Sequence, residues 1–240
     1  MMTTAAESAH EDGRTRVLCL VVSLPQRLTR ETVWSVIGQS IPNFTMFLTK
    51  KSKLPSLIQR IADAENEGLS HVNLSRFDYI LKVDGDTVLG KDFVKNNLIG
   101  DPDVVGGGSA MLIKVSAFNE VMNGKFYAEC EDPYIRLKFQ MAHKKVRGYR
   151  DPPLYVGNHP LDVRYLVDLG WLHYRLGWTP IHVASKMFKK PPDSLKEIFI
   201  VLSYFVACLT RPKKMDTFGF VRTYQIRSLA RHITNALWRV

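Results

Sequence analysis

Three short apolar runs constrain the fold of this chain more than any other feature: Arg16–Leu24 (RVLCLVVSL), Phe44–Thr49 (FTMFLT) and Phe77–Val83 (FDYILKV). Each is strand-length and bounded by turn or helix signals, the pattern of buried strands. Between the first two, Thr29 is a candidate N-cap, with Thr32 the weaker alternative, for a helix that carries Val33, Val36 and Ile37 on one side and ends at Gly38 and Pro42. Between the second and third, Leu54–Glu67 spaces Leu57, Ile58 and Ile61 as an amphipathic helix does. Strand, helix, strand, helix, strand implies right-handed crossovers and an open α/β sheet. Ligands of such sheets sit at the carboxyl ends of the strands. The third run stops directly at Asp84-Gly85-Asp86.

Downstream, Met111–Val115 is a further strand, Ser116–Met122 a short helix, Asp132–Gln140 the start of another, and Tyr155-Val156 a short strand. The chain has 240 residues with 45% hydrophobic and 23% charged content, enough for one catalytic domain and an appendage. Three units are expected: a polar tail over 1–14, a catalytic domain over 15–160 and a basic helical region over 161–240. The tail has no apolar core of a signal peptide, and Cys19, Cys130 and Cys208 form no CxxC pair, so a reducing cytoplasm is expected.

The net charge of +10 is uneven, because Pro160–Val240 holds 13 Lys+Arg against 5 Asp+Glu. That balance calls for an anionic partner. The run Ile198–Leu209 (IFIVLSYFVACL) has 12 residues, short of the roughly 20 that a crossing needs. Thr223–Val240 sets Ile226, Leu229, Ile233 and Leu237 on one stripe with arginines off it, a basic amphipathic helix. An anionic membrane surface is the expected partner. The basic residues form no nucleic-acid-binding motif, and no nucleic-acid partner is expected.

Three constellations carry chemistry. Two carboxylates one residue apart at a strand end present hard oxygens to Mg²⁺ or Mn²⁺, and Gly85 lets the backbone turn beside a diphosphate. Glu129-Cys130-Glu131-Asp132-Pro133 is either a capping cluster, with Asp132 ahead of Pro133, or the seat of a general base. His159 follows the last short strand, where an imidazole can complete a metal site.

In this order these residues resemble the inverting family-2 glycosyltransferases of the GT-A fold, over about Arg16 to His159. Ser35-Val36-Ile37-Gly38-Gln39-Ser40-Ile41-Pro42-Asn43 is similar to the stretch that follows the family's first strand. Asn66-Glu67-Gly68 stands 18 residues before Asp84, like the family's Asn-x-Gly. Asp84-Gly85-Asp86 resembles the DxD motif, Gly107-Gly108-Ser109-Ala110 the small-residue strand by the acceptor, and Glu131-Asp132 the ED motif.

The resemblance implies a Rossmann-like, mostly parallel sheet flanked by helices and a C-terminal, membrane-associated helical region. It also implies a sugar moved from a nucleotide-diphosphate donor to a hydroxyl of a glycan or lipid-linked acceptor. Asp86, His159 and Asp84 would hold Mn²⁺ or Mg²⁺. Pro25, Asn66, Asp84, Gly85 and Asp86 would meet the donor, Gly107, Gly108 and Glu131 the acceptor side, and Asp132 would be the base. Two features depart from the family. Leu48-Thr49-Lys50-Lys51-Ser52 lacks the acidic residue that contacts the nucleotide base, and the Q/RxxRW motif of processive synthases is absent. The alternatives are a polyprenyl-phosphate sugar synthase, a sugar-nucleotide pyrophosphorylase and a non-catalytic membrane-surface module.

Overall fold

The structure, a computed structural model, describes residues 15–23, 27–49, 57–127, 132–156, 163–185 and 194–237. The first apolar run forms β1 (Val17–Ser23), buried along its whole length. Thr29 caps α1 (Arg30–Ile37): its Oγ1 accepts from the Thr32 amide at 3.1 Å, and Gly38 closes the helix through its N–H to the Trp34 carbonyl. The half-buried β2 (Asn43–Thr49) follows, then α2 (Leu57–Ser70), which runs three residues past the expected Glu67. Leu54 to Ser56 lie outside the described residues. Phe77 ends a 3-10 turn over Leu74–Arg76 instead of opening a strand, and β3 is Tyr79–Asp84.

After the triplet come β4 (Thr87–Val88), α3 (Phe93–Leu98), β5 (Val104–Gly107), β6 (Ala110–Lys114), α4 (Val115–Met122), α5 (Asp132–Met141), β7 (Val146–Arg147) and β8 (Leu154–Tyr155). Six strands form one sheet in the order β2-β1-β3-β6-β5-β7. β1 is parallel to β2 and β3, and β7 to β5, while β6 is antiparallel to both neighbours. The sheet is therefore mostly parallel, with β6 reversed by the tight turn at Gly108-Ser109. The short β4 pairs with β8 in a separate two-stranded ribbon.

Alternate residues of a strand point to opposite faces. Leu18 and Leu20 of β1 join Ile80, Met111, Ile113, Phe118, Ile135 and Phe139 on one side. Val17, Cys19 and Val21 join Leu81, Val83, Leu112, Val36 and Phe93 on the other. Helices thus cover both faces of the sheet, as parallel strands require.

The C-terminal stretch is helical: α6 (Val163–Leu176), α7 (Pro180–Ser185), α8 (Ser194–Thr210) and α9 (Phe218–Leu237). α9 starts five residues before the expected Thr223. Leu172, Leu176 and Met215 lie in the same cluster as Leu18 and Ile80, so this region shares the core of the sheet domain. Helices α6 and α8 meet closely at Gly170, where a Cβ would stand 1.8 Å from Ser203 Oγ.

Candidate functional site

The triplet sits where β1 and β3 end side by side, with Val22 paired to Asp84. The Gly85 amide donates to the Val22 carbonyl at 3.2 Å, and the Gly85 carbonyl accepts from the Thr29 amide at 2.9 Å. Gly85 is required here by close approach, since a Cβ would lie 2.3 Å from Ser23 Cβ.

Helix α1 braces the segment that follows. The buried Gln39 carboxamide donates to the Ser35 and Gly90 carbonyls, both at 2.8 Å, and accepts from the Val94 amide at 3.1 Å. The Ser35 hydroxyl accepts from the Leu89 amide at 3.1 Å, and Asn43 donates to the Val36 carbonyl at 2.9 Å. The Ser35–Asn43 motif is thus a clamp that fixes the backbone on the far side of the triplet.

Asp86 is buried, and its carbonyl accepts from the Val156 amide at 2.9 Å. Tyr155 lies in the field of both carboxylates: partial desolvation first, then Asp86 and Asp84, raise its phenol above the usual tyrosine range, with Arg27 acting in the opposite direction. Two carboxylates at a strand end fit a divalent cation, because Mg²⁺-type sites commonly take one or two carboxylates and complete their shell with water and substrate phosphate. Among the described residues no third His, Cys, Asp or Glu gathers with them. His159, expected to complete the set, lies outside the described residues, as do Pro25 and Glu131.

The turn between β5 and β6 links the triplet to a cavity. The Asp84 amide donates to the Ser109 carbonyl at 2.9 Å. On the other side of that turn, Gly106, Gly107 and Gly108 line a cavity of about 430 Å³ together with Asp132, Tyr149 and Trp178. Gly107 is the last residue of β5, Gly108 and Ser109 make the turn, and Ala110 opens β6, so the expected small-residue strand is a strand end, a turn and a strand start. Gly106 has φ +81°, and a Cβ on it would meet the Tyr149 ring at 2.0 Å. The Tyr149 hydroxyl donates to the Gly107 carbonyl at 2.7 Å and accepts from its amide at 3.1 Å. Burial raises the Tyr149 phenol, bonds to Gly107 and Ala110 oppose the rise, and the Asp132 carboxylate adds to it. Arg136, one turn along α5, donates to the Gly106 and Arg147 carbonyls and stiffens the same wall.

Asp132 is the first residue of α5, and its side chain is 15% exposed. Its Oδ1 accepts from the Lys82 ammonium at 2.7 Å. Lys82 is 1% exposed and also lies 3.8 Å from Glu65 Oε1, which is fully buried on α2. Asn66, expected at the donor, holds a structural contact in this chain. Its carboxamide donates to the Phe126 carbonyl at 2.9 Å and accepts from the Phe126 amide at 2.8 Å, tying α2 to the segment after α4.

Lys82, Glu65, Tyr149, Arg136 and Trp178 were not among the expected site residues. Lys82 carried a signal: a lysine inside a strand buried on both faces, two residues before the triplet, needs a counter-charge.

No family model matches the sequence, and no curated protein matches it. Solved structures do. The mannosyltransferase PcManGT from Pyrobaculum calidifontis, in complex with GDP-mannose and Mn²⁺, superposes with a TM-score of 0.54 at 13% identity, covering 90% of this chain and 81% of that one. The catalytic domain of Drosophila β1,4-galactosyltransferase 7, in complex with xylobiose, gives 0.44 at 17% identity over 60% of this chain and 72% of that one. TarS of S. aureus gives 0.43 at 10% identity over 80% and 71%. At such identities a likeness is one of fold, and it rests on the first of the three. The chain has the mixed α/β fold of that mannosyltransferase, its mostly parallel sheet flanked by helices.

Proposed function

We propose that this chain is a metal-dependent, inverting glycosyltransferase that moves a sugar from a nucleotide-diphosphate donor to a hydroxyl acceptor. One observation carries the reading. The Ser109 turn joins the Asp84-Gly85-Asp86 end of the sheet to a cavity into which Asp132 faces. Two carboxylates at one end of the turn and a third at the other suit a reaction that needs charge offset at a leaving group and a base at a nucleophile.

Asp84 and Asp86, with His159, would hold Mn²⁺ or Mg²⁺, whose charge offsets that developing on the departing diphosphate. Asp132 takes the proton of the acceptor hydroxyl while its oxygen bonds to the anomeric carbon from the opposite side. The bond from that carbon to the diphosphate breaks in the same displacement, which inverts the stereochemistry. The walls from Gly106 to Gly108, held by Tyr149 and Arg136, orient the acceptor. The likeness to a mannosyltransferase holding GDP-mannose and Mn²⁺ supports the donor class. A base would be unnecessary for a lipid phosphate, which is already ionised, so Asp132 favours a hydroxyl. A panel of nucleotide sugars with Mn²⁺, scored for transfer and hydrolysis, tests the reading; no turnover with any donor overturns it.

We also infer that the C-terminal helices lie on an anionic membrane surface. Along α8, Leu202, Phe205, Val206 and Leu209 are exposed at helical spacing, and exposed Arg211, Lys213 and Lys214 follow. On α9, exposed Tyr224, Ile226 and Leu229 alternate with Arg222 and Arg227. An apolar stripe beside cations suits insertion among acidic headgroups. Among the described residues no helix is long and apolar enough to cross a membrane. Flotation with vesicles containing phosphatidylserine at low salt should carry the full chain upward. Protein left wholly at the bottom rules this inference out.

A further inference from the structure

Lys82, Asp132 and Glu65 form a buried charged group whose cost stability alone does not explain. Lys82 Nζ lies 2.7 Å from Asp132 and 3.8 Å from Glu65, with Lys82 and Glu65 at 1% and 0% exposure. Desolvating such charges is expensive, and apolar residues of similar volume are often at least as stable. Lys82 shares its side of β3 with Ile80, which packs in the main core, so a leucine at 82 would have suited the packing.

The charges become intelligible if one of them must take up a proton. A Lys82–Asp132 pair alone is neutral, and protonating Asp132 would leave a buried ammonium uncompensated. That makes Asp132 a poor base. With Glu65 added, the three side chains sum to one negative charge while Asp132 is ionised. When Asp132 takes a proton, a neutral Lys82–Glu65 pair remains.

We propose that Glu65 and Lys82 are positioning residues for Asp132: Lys82 anchors Oδ1 so that the second oxygen faces the cavity, and Glu65 compensates Lys82 so that Asp132 can accept a proton. The proposal takes from the preceding reading that Asp132 is the base. Among the described residues, groups near Asp132 include Tyr149, from the segment after β7 and neutral because burial raises its phenol, and Arg136 on α5 itself, bound to the Gly106 and Arg147 carbonyls. Neither changes in the comparison below.

The test is the titration of Asp132 in the full chain, followed by ¹³C NMR of labelled aspartate and assigned with Asp132→Asn. In parallel, the pH profile of kcat/KM is measured with the active donor. Glu65→Gln, which keeps the side chain's shape, should lower the Asp132 midpoint by about one pH unit, and Lys82→Met should raise it by about as much. The acid limb of the rate profile should move with each. Displacements of opposite sign are the signature, because a merely structural role would lower the rate in both variants without moving the limb. Midpoints that stay put in Glu65→Gln, or move the same way in both variants, overturn the proposal. The NMR arm needs no turnover. A chain that transfers no sugar but shows the opposed shifts refutes the transferase reading and leaves the charge compensation standing. Should Lys82→Met not fold, the Glu65→Gln midpoint alone decides.

Discussion

Gly85 packs against Ser23 so closely that a Cβ on the glycine would stand 2.1 Å from the serine Oγ. The two strands that carry the site therefore meet at a point with no room for a side chain. Gly85→Ala should destabilise the chain by about 1–3 kcal/mol, the usual cost of overpacking a filled region. Ser23→Gly in the same chain should recover most of that loss. Thermal melts of the single and double variants check it, and an unchanged melting temperature in Gly85→Ala would contradict the packing described.

Asp84 and Asp86 are expected to act together on the metal. Mn²⁺ with a nucleoside diphosphate should raise the melting temperature of the native chain, by the linkage between binding and stability. The rise should vanish in Asp86→Ala and shrink in Asp84→Ala. Stabilisation that survives both substitutions, or that chelator leaves intact, would move the metal elsewhere.

The Asn66 carboxamide uses both its donor and its acceptor on the Phe126 backbone. Asn66→Ala should cost about 1–3 kcal/mol, because it strands partly buried backbone groups. The KM for the donor should stay as it was. A raised donor KM with unchanged stability would return this residue to the donor site.

Trp178 reaches the cavity from the C-terminal helices, where its ring stacks on His173 at 4.1 Å. Trp178→Ala should raise the acceptor KM roughly tenfold, in line with the loss of an aromatic wall worth about 1 kcal/mol or more. Hydrolysis of the donor in the absence of acceptor should be unaffected. Equal effects on both activities would assign Trp178 a structural role.

The alternation of apolar runs with helical spacing was enough to place β1, α1, β2, α2 and β3, because β1 and β3 are buried along their length and the half-buried β2 still carries a largely apolar run. The short strand expected at Tyr155-Val156 is β8, one residue earlier, whereas β4, β5 and β7 were not expected, since strands of two to four residues have little periodicity and form where tertiary contacts bring them together. The Asp84-Gly85-Asp86 triplet was legible from its position at a strand end. Its link to Asp132 was not, because it passes through the Ser109 carbonyl and the Gly106–Gly108 turn, which are backbone features. Lys82 hid inside an apparently apolar run, and Glu65 inside the polar pattern of an amphipathic helix. Their meeting depends on how α2 and α5 pack over β3, which no local pattern encodes. Asn66 shows another limit: its motif position says nothing of the two bonds it makes to the Phe126 backbone, 60 residues away.

The central claim is that Asp132 is the base of a sugar transfer. The most direct measurement is single-turnover transfer from the active nucleotide sugar with Mn²⁺, comparing the native chain with Asp132→Asn. The account predicts a loss of about 10²- to 10⁴-fold in the transfer rate, with donor affinity and melting temperature essentially retained. Transfer by Asp132→Asn at the native rate would contradict it.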